Sequence, residues 1–480
     1  MRVARKIAYN VVVSSVAKVL ATVLALVSIG LITRYLGKEG FGNYATVLAF
    51  FSFFGALSDL GLYSISTREI SRPGADQERI MSNMFTIRII SSLVVLVISP
   101  AIVIFFPYPI EVKYGIVVAA AAYLFSSAYQ ILNGVFQKNL AMDKVAISEL
   151  AGKVLQVIII FLAIKFELSF GWVISSLLFY MIFSFILVFF WSRRFVKIRL
   201  RFDFSYWKKF LKESYPVGIS AIVIFMYFKL DTILLSVMKS SADVGIYSAA
   251  YKVLENITFF PSMIMGLIFP IMSQSIFADR EKFKDVSNKT FKIFVLTIVP
   301  LIVGTLFLSE GIISLIGGAG FSESAAVLEI LVFALALIFF GNFFNSIMIA
   351  GNLQKKLLFV LSGAAIINIS LNYLFIPRFS YFGAAGISVI TEMVVAGIGF
   401  VVVYKNLKYK PVLENWAGIF FSGLAMAVFL FFFQNQNFFV VGAASVLVYG
   451  LFLWIFRAVK TNEITSIISR KGVEEYEQIA

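Results

Sequence analysis

The stretch "LGKEGFGNYATV", residues 36–47, sets glycines and charges between two long apolar runs, and "SADVGIYSAAYKV", residues 241–253, echoes it. Gly42-x-Tyr44 and Gly245-x-Tyr247 are 203 residues apart, each following an apolar run long enough to cross a bilayer. A second echo has a similar offset: Asn133, Lys144 and Gln156 match Asn345, Lys356 and Asn368, all 212 residues on. Echoes in corresponding places predict a duplicated membrane architecture with the glycine stretch as a tight outer turn, where Gly permits positive φ and close helix approach. A phosphate cradle does not fit, because Gly37-x-x-Gly40-x-Gly42 is not a GxGxxG after a strand and no GxxxxGK[ST] follows.

The composition agrees with a bilayer setting. The 480 residues are 60% hydrophobic and 14% charged, with a mean hydropathy of +0.93, more apolar surface than water-soluble cores can hide. The start, "MRVARKIAYN", leads into an apolar segment too long for a signal peptide's core and reads as a retained helix. Cys and His are both absent, which excludes disulfides, thiolate or imidazole nucleophiles, conventional zinc sites and histidine proton relays. No cofactor is expected. The net charge of +15 is spread over short segments between apolar runs, a membrane pattern and not a nucleic-acid footprint.

At about 20 apolar residues per crossing, fourteen helices are predicted, near 8–33, 40–64, 82–106, 114–136, 145–165, 169–192, 214–238, 243–274, 290–309, 324–350, 356–376, 383–404, 415–433 and 438–457. With a cytoplasmic N-terminus, one side collects 30 basic residues and the other 6. The positive-inside rule then places both termini in the cytoplasm of a multi-pass protein of the cytoplasmic membrane. The fold class is all-α: two parallel six-helix lobes, 1–205 and 206–405, two additional helices within 406–457, and a cytoplasmic tail, 458–480. The most basic loop, "RRFVKIRLRFDFSYWKKFLKE" at 193–213, has aromatic residues among its cations, which suits an amphipathic segment at an anionic leaflet as well as a plain linker.

Five cations fall inside or at the edges of the helices: Lys18, Arg88, Lys153, Lys229 and Lys252. A charge at bilayer depth costs several kcal/mol unless it meets a partner or a wet cavity, so each is a functional candidate. Lys18 lies on an i+4 stripe, Asn10, Ser14, Lys18, Thr22, that makes a polar face on an apolar helix. Arg88 and Lys153 are read as one or two turns from a cytoplasmic end, within snorkelling reach of headgroups. Lys252 has Glu255 three residues on and so a same-helix partner. Lys229 and Asp231 are about 200° apart around a helix, and Asp231 shares its stripe with Ser220 and Tyr227. Asp59, Asp231 and Glu392 are candidates to bind a coupling H+ or Na+, with helix-end or interhelical hydrogen bonding the alternative for Asp59.

Several stretches resemble the polysaccharide flippases, which include the O-antigen flippases, of the multidrug/oligosaccharidyl-lipid/polysaccharide exporter superfamily. They are "TRYLGKEGFGNYA" (33–45), "LSDLGL" with "TREI" (57–70), "LDTILLSVMKSSADVGIYSAAYKV" (230–253), "GGAGFSESAAVLEIL" (317–331) and "INISLNYLFIPRFSYFGAAG" (367–386). The resemblance covers residues 1–405 and implies a V-shaped transporter, not an enzyme. Such a protein moves a polyprenyl-pyrophosphate-linked oligosaccharide to the outer leaflet by alternating access, for cell-surface polysaccharide biosynthesis. The partners implied are that lipid-linked substrate, membrane lipids and, as further candidates, polysaccharide polymerase and assembly proteins. A pyrophosphate needs a wet, cationic passage, and this assigns its binding to Lys18 with Arg88, Lys153, Lys229 and Lys252, while ion coupling falls to Asp231 or Glu392. No motif of the family marks these residues. A cation-coupled drug antiporter of the same superfamily and a membrane glycosyltransferase or polymerase are the alternatives; the second would need a positioned carboxylate, and the Asp279-Arg280-Glu281 cluster reads as a solvated loop.

Overall fold

The computed structural model describes residues 2–59, 61–72 and 74–459; the side chains at 2–9, 11, 12, 64, 216, 217, 220, 221, 224 and 227 are not described. The tail expected after residue 459 therefore lies outside the described residues, as do the side chains of Arg2, Arg5, Lys6, Ser220 and Tyr227. The described chain is helical almost throughout: α1 (Arg2–Asp59), α2 (Leu62–Ile70), α3 (Gln77–Ile104), α4 (Ile110–Lys138), α5 (Met142–Lys165), α6 (Phe170–Ser192), α7 (Phe204–Met238), α8 (Ser241–Ile257), α9 (Phe259–Ala278), α10 (Arg280–Gly317), α11 (Glu323–Ala350), α12 (Gln354–Leu407), α13 (Trp416–Phe433) and α14 (Phe438–Ile455).

Each predicted crossing falls on one of these segments. The first two are the arms of α1, which breaks at Gly37 (φ 65°), and the eleventh and twelfth are the arms of α12, which breaks at Ser380 (φ 49°). The eighth is α8 followed by α9. Among the described residues, eleven helical stretches are long and apolar enough to cross a membrane, and the protein is a multi-pass membrane protein. Two boundaries differ from expectation. An extra short helix, α2, follows the left-handed Gly61. Helix α7 starts ten residues early, because the Asp203 carboxylate accepts from Tyr206 N at 3.1 Å and caps it.

The chain divides into two compact units. The first holds the chain up to Ala249 with Leu315–Phe321 and Leu361–Ile387. Its most enclosed element is α4, where the run Ala119–Ala122 and Ser126–Ser127 present small side chains that let α1, α3 and α6 approach closely. The second unit holds Ala250–Ser314, Ser322–Val360 and the described chain from Ser388 on. There α13 and α14 pack on α10 through Leu308, Met426, Leu430, Val441 and Tyr449.

The echoed motifs meet inside the first unit. A Cβ added to Gly42 would strike the carbonyl oxygen of Ser241, and one added to Gly245 would strike that of Lys38. Lys38 and Ser241 are themselves 203 residues apart, so the contact is isologous: each copy offers the other the same glycine and the same carbonyl. Only a residue without a side chain permits that approach.

The second echo is a repeated helix stop. Ala141 N donates to Phe136 O at 2.9 Å after Leu140 turns left-handed (φ 49°), and Leu353 N donates to Met348 O at 2.8 Å after Asn352 does the same (φ 59°). Each position of this Schellman closure has its counterpart 212 positions later, although the residue types differ. The motif at 33–45 also closes the end of α10: Thr33 Oγ1 donates to Ile316 O at 2.7 Å and Arg34 Nη2 to Leu315 O at 2.8 Å. A cation and a hydroxyl there satisfy carbonyls that the helix leaves open.

Candidate functional site

The polar stripe of α1 faces the start of α5. Asn10 Nδ2 donates to Leu140 O at 2.7 Å and its Oδ1 accepts from Asp143 N at 3.2 Å. Two turns further, Lys18 Nζ lies 2.9 Å from Glu149 Oε1, with 47% of the lysine and 26% of the glutamate side chain exposed. Thr22 Oγ1 donates back to Lys18 O at 2.9 Å. The stripe thus positions α1 against α5 and leaves Lys18 accessible.

Lys153 follows Glu149 by four residues, on the same face of α5. Its Nζ donates to Gln156 Oε1 at 2.9 Å and lies 4.4 Å from the centre of the Tyr180 ring on α6, a cation–π contact. Glu149 is also within electrostatic reach of the Tyr129 and Tyr180 phenols. Lys18, Glu149, Lys153, Gln156 and Tyr180 therefore form one cluster across α1, α5 and α6.

Arg88 makes an adjoining pair. Its side chain is fully buried, and Nη2 lies 2.5 Å from Asp59 Oδ1. Nη1 donates to Ser58 O at 3.3 Å and Nη2 to Gln130 Oε1 at 3.5 Å, whereas Nε meets no acceptor. The snorkelling expected of Arg88 and Lys153 does not occur. Both sit eleven residues into their helices, roughly 16 Å at about 1.5 Å per residue, and both side chains are engaged by neighbouring groups. Asp59, the last residue of α1, makes its contact between helices, as the counter-ion of the buried Arg88 guanidinium on α3.

The remaining candidates are placed differently. Asp231 is buried and accepts from the Tyr247 hydroxyl and from Thr232 N, the latter at 2.7 Å. The tyrosine of the second glycine motif thus anchors α8 to α7. Lys229 is half-buried, engaged within the fold, and its charge is felt at Asp231. Lys252 takes its same-helix partner, with Nζ 2.6 Å from Glu255 Oε2, and belongs to the second unit together with the buried Glu392. The structure places Lys18 and Lys153 in one cluster, Lys18 paired with Glu149 and Lys153 over the Tyr180 ring that Glu149 also influences, and puts Arg88 on α3, which packs against α1. Among the described residues no group of three or more acidic side chains is arranged to hold a metal ion.

Sequence reasoning missed Glu149, the hub of the cluster. The signal available was the spacing Glu149-x-x-x-Lys153, which puts an acid on the face of a recognised cation. Gln130 and Tyr180 had no signal, since their roles come from packing between helices.

Comparison with known proteins gives six findings. The model of the family "Polysaccharide biosynthesis protein" matches residues 7–276, and the MatE family model matches residues 216–374. The capsular polysaccharide biosynthesis protein CapF of Staphylococcus aureus is 24% identical over 300 residues, 61% of this chain and 74% of that protein. The probable low-salt glycan biosynthesis flippase Agl15 of Haloferax volcanii is 24% identical over 245 residues, 50% of this chain and 49% of that one. Among solved structures, the lipid II flippase MurJ in an inward closed conformation superposes with a TM-score of 0.76 at 18% identity, covering 96% of this chain and all of that one. An inward-facing multidrug resistance MATE transporter gives 0.65 at 17%, covering 81% of this chain and 94% of that one. At such identities the structures establish the shared fold.

Proposed function

The chain belongs to the polysaccharide biosynthesis protein family, and from that premise we propose that it flips a polyprenyl-pyrophosphate-linked oligosaccharide across the cytoplasmic membrane by alternating access. The observation that carries the reading is the cation cluster of the first unit. Lys18 is half-exposed, Lys153 is held over the Tyr180 ring, and Arg88 keeps an Nε donor unused. Such a site suits a phosphate-bearing cargo whose sugars vary, because the charge recognises the pyrophosphate and the hydrocarbon tail stays in lipid. The flippase named among the relatives and the flippase named among the solved structures support the same reading.

In this reading Lys18 and Lys153 hold the pyrophosphate with Arg88 behind them, Lys229 and Lys252 are outlying members of the set, and six-helix halves at 1–205 and 206–405 rock around the cargo. The recurrence of the Schellman closure at an offset of 212 and of the glycine contact at 203 supports such halves. The asymmetry of basic residues supports cytoplasmic termini, and polymerase and assembly proteins are the partners this activity calls for. Asp231 and Glu392 are the carboxylates for ion coupling. The test is reconstitution of the purified chain in liposomes with a fluorescent polyprenyl-pyrophosphate oligosaccharide, reading protein-dependent exposure to a membrane-impermeant sugar-modifying reagent. Exposure above protein-free liposomes is expected; none with any sugar head would overturn the proposal.

The MatE match over residues 216–374 favours a second reading, a cation-coupled antiporter of small molecules. Acid-rich surroundings suit cationic drugs, and uptake of a cationic dye driven by an ion gradient, without movement of the lipid-linked glycan, would select it.

A further inference from the structure

We propose that residues 193–213 form a docking surface for the anionic phospholipid headgroups of the leaflet beside them, independent of the site that handles cargo. All eight cations between Arg193 and Lys212 are exposed. The two acids of the stretch are already taken by cations elsewhere: Asp203 by Arg79 at 2.7 Å and Glu213 by Arg68 at 2.8 Å. None of the eight forms an ion pair among the described residues, so their charge is left facing outward there.

The backbone here is fixed and does not trail as a linker. Between α6 and α7 it runs extended along α3, with Arg199 N donating to Ser82 Oγ at 3.2 Å, Arg201 N to Thr86 Oγ1 at 2.9 Å and Asp203 N to Asn83 Oδ1 at 3.2 Å. Trp207 Nε1 adds a bond to the same Asn83 oxygen at 2.9 Å. Alternate residues are therefore pinned by their amides while the side chains of Arg199 and Arg201 stay exposed, and Val196 and Phe210 anchor both ends in the core. In the first turns of α7, Tyr206, Trp207, Phe210 and Leu211 turn inward and Phe204, Ser205, Lys208 and Lys209 outward.

The exposed face mixes two chemistries. Leu200, Phe202 and Phe204 are 63%, 59% and 70% exposed beside Arg199, Arg201, Lys208 and Lys209. Apolar rings flanked by lysine and arginine are what an interfacial segment presents to a leaflet: the rings enter the acyl boundary and the cations meet lipid phosphates. Positive charge without an ion pair among the described residues, and outward rings on a fixed backbone, select anionic lipid as the occupant.

The absence of cysteine allows one reporter to be placed without background. The full chain carrying Ser205→Cys and an environment-sensitive fluorophore is reconstituted in nanodiscs of phosphatidylcholine alone or mixed with phosphatidylglycerol. A blue shift is expected with phosphatidylglycerol, reversed by salt as the Debye length shrinks from about 10 Å at 0.1 M to about 3 Å at 1 M. It should be lost in an Arg199→Gln, Lys208→Gln, Lys209→Gln variant. Equal emission in both lipids, or a shift that survives high salt, would overturn the proposal; the lipid and salt series needs no variant and stands even if the triple substitution fails to fold.

Discussion

Lys18 and Lys252 are both lysines on apolar helices with a carboxylate in contact, yet the two pairs are built differently. Lys18 reaches Glu149 across the α1–α5 boundary; Lys252 reaches Glu255 one turn along its own helix. A same-helix pair persists whatever its neighbours do, whereas a pair across two helices holds only while the helices stay together and no competing anion intervenes. The duplication shows the same contrast in sequence. At an offset of 212, Glu149 and Lys153 fall on Leu361 and Ala365, while Asn133 and Gln156 keep amides at Asn345 and Asn368. The repeat preserves what builds the scaffold, and the first half alone carries the charged cluster.

The sharpest way to break this comparison is to leave the buried guanidinium of the first half alone. Asp59→Asn should lower stability by about 3–5 kcal/mol, since removing one partner strands a buried charge; thermal unfolding in detergent measures it, and a loss below about 1 kcal/mol would mean that Asp59 is not the counter-ion it appears by geometry. The glycine contact comes next. Gly42→Ala or Gly245→Ala forces the two echoed copies apart and should each cost about 1–3 kcal/mol. Because the contact is isologous, the double variant should lose less than the sum of the two.

A smaller effect, of opposite sign in the two halves, is expected at the paired helix stops. Leu140 holds a left-handed conformation that costs a branched residue roughly 1–2 kcal/mol, whereas Asn352 visits it routinely. Leu140→Asn should stabilise by up to about that amount and Asn352→Leu should destabilise similarly; equal and small shifts would show that the two turns differ in more than sequence.

The smallest effect is a pH dependence outside the spans. The hydrogen bond from Arg79 holds the Asp203 carboxyl below the usual carboxylate range. A depressed folded-state value means the contribution is present above the ordinary carboxylate range and is lost as pH falls through the folded value. Acid titration of stability should therefore show a component that Asp203→Asn removes; an unchanged acid limb in that variant would dismiss the Arg79 pairing as a stability element.

Much of this was legible in the chain. Apolar runs located every helical segment but the short α2, because a bilayer demands crossings of fixed length, and the two offsets pointed to positions whose geometry recurs. Lys252 with Glu255 was readable because both lie on one helix. What escaped was contact between helices: nothing in the sequence pairs Arg88 with Asp59 or Lys18 with Glu149, since such pairing depends on which helices are neighbours. The early start of α7 escaped as well, hidden because a capping aspartate in a basic loop looks like one more loop residue.

The most direct test of the account compares charge removal in the two halves. Lys18→Ala, Lys153→Ala and Lys252→Ala would each be reconstituted at equal folded amounts and assayed for translocation of a polyprenyl-pyrophosphate oligosaccharide. Loss of a charge-assisted hydrogen bond to phosphate, about 1.5–3 kcal/mol, predicts roughly a ten- to hundred-fold drop for Lys18→Ala and Lys153→Ala and near wild-type transport for Lys252→Ala. Undiminished transport by Lys18→Ala and Lys153→Ala, or a loss confined to Lys252→Ala, would contradict a cargo site built in the first half.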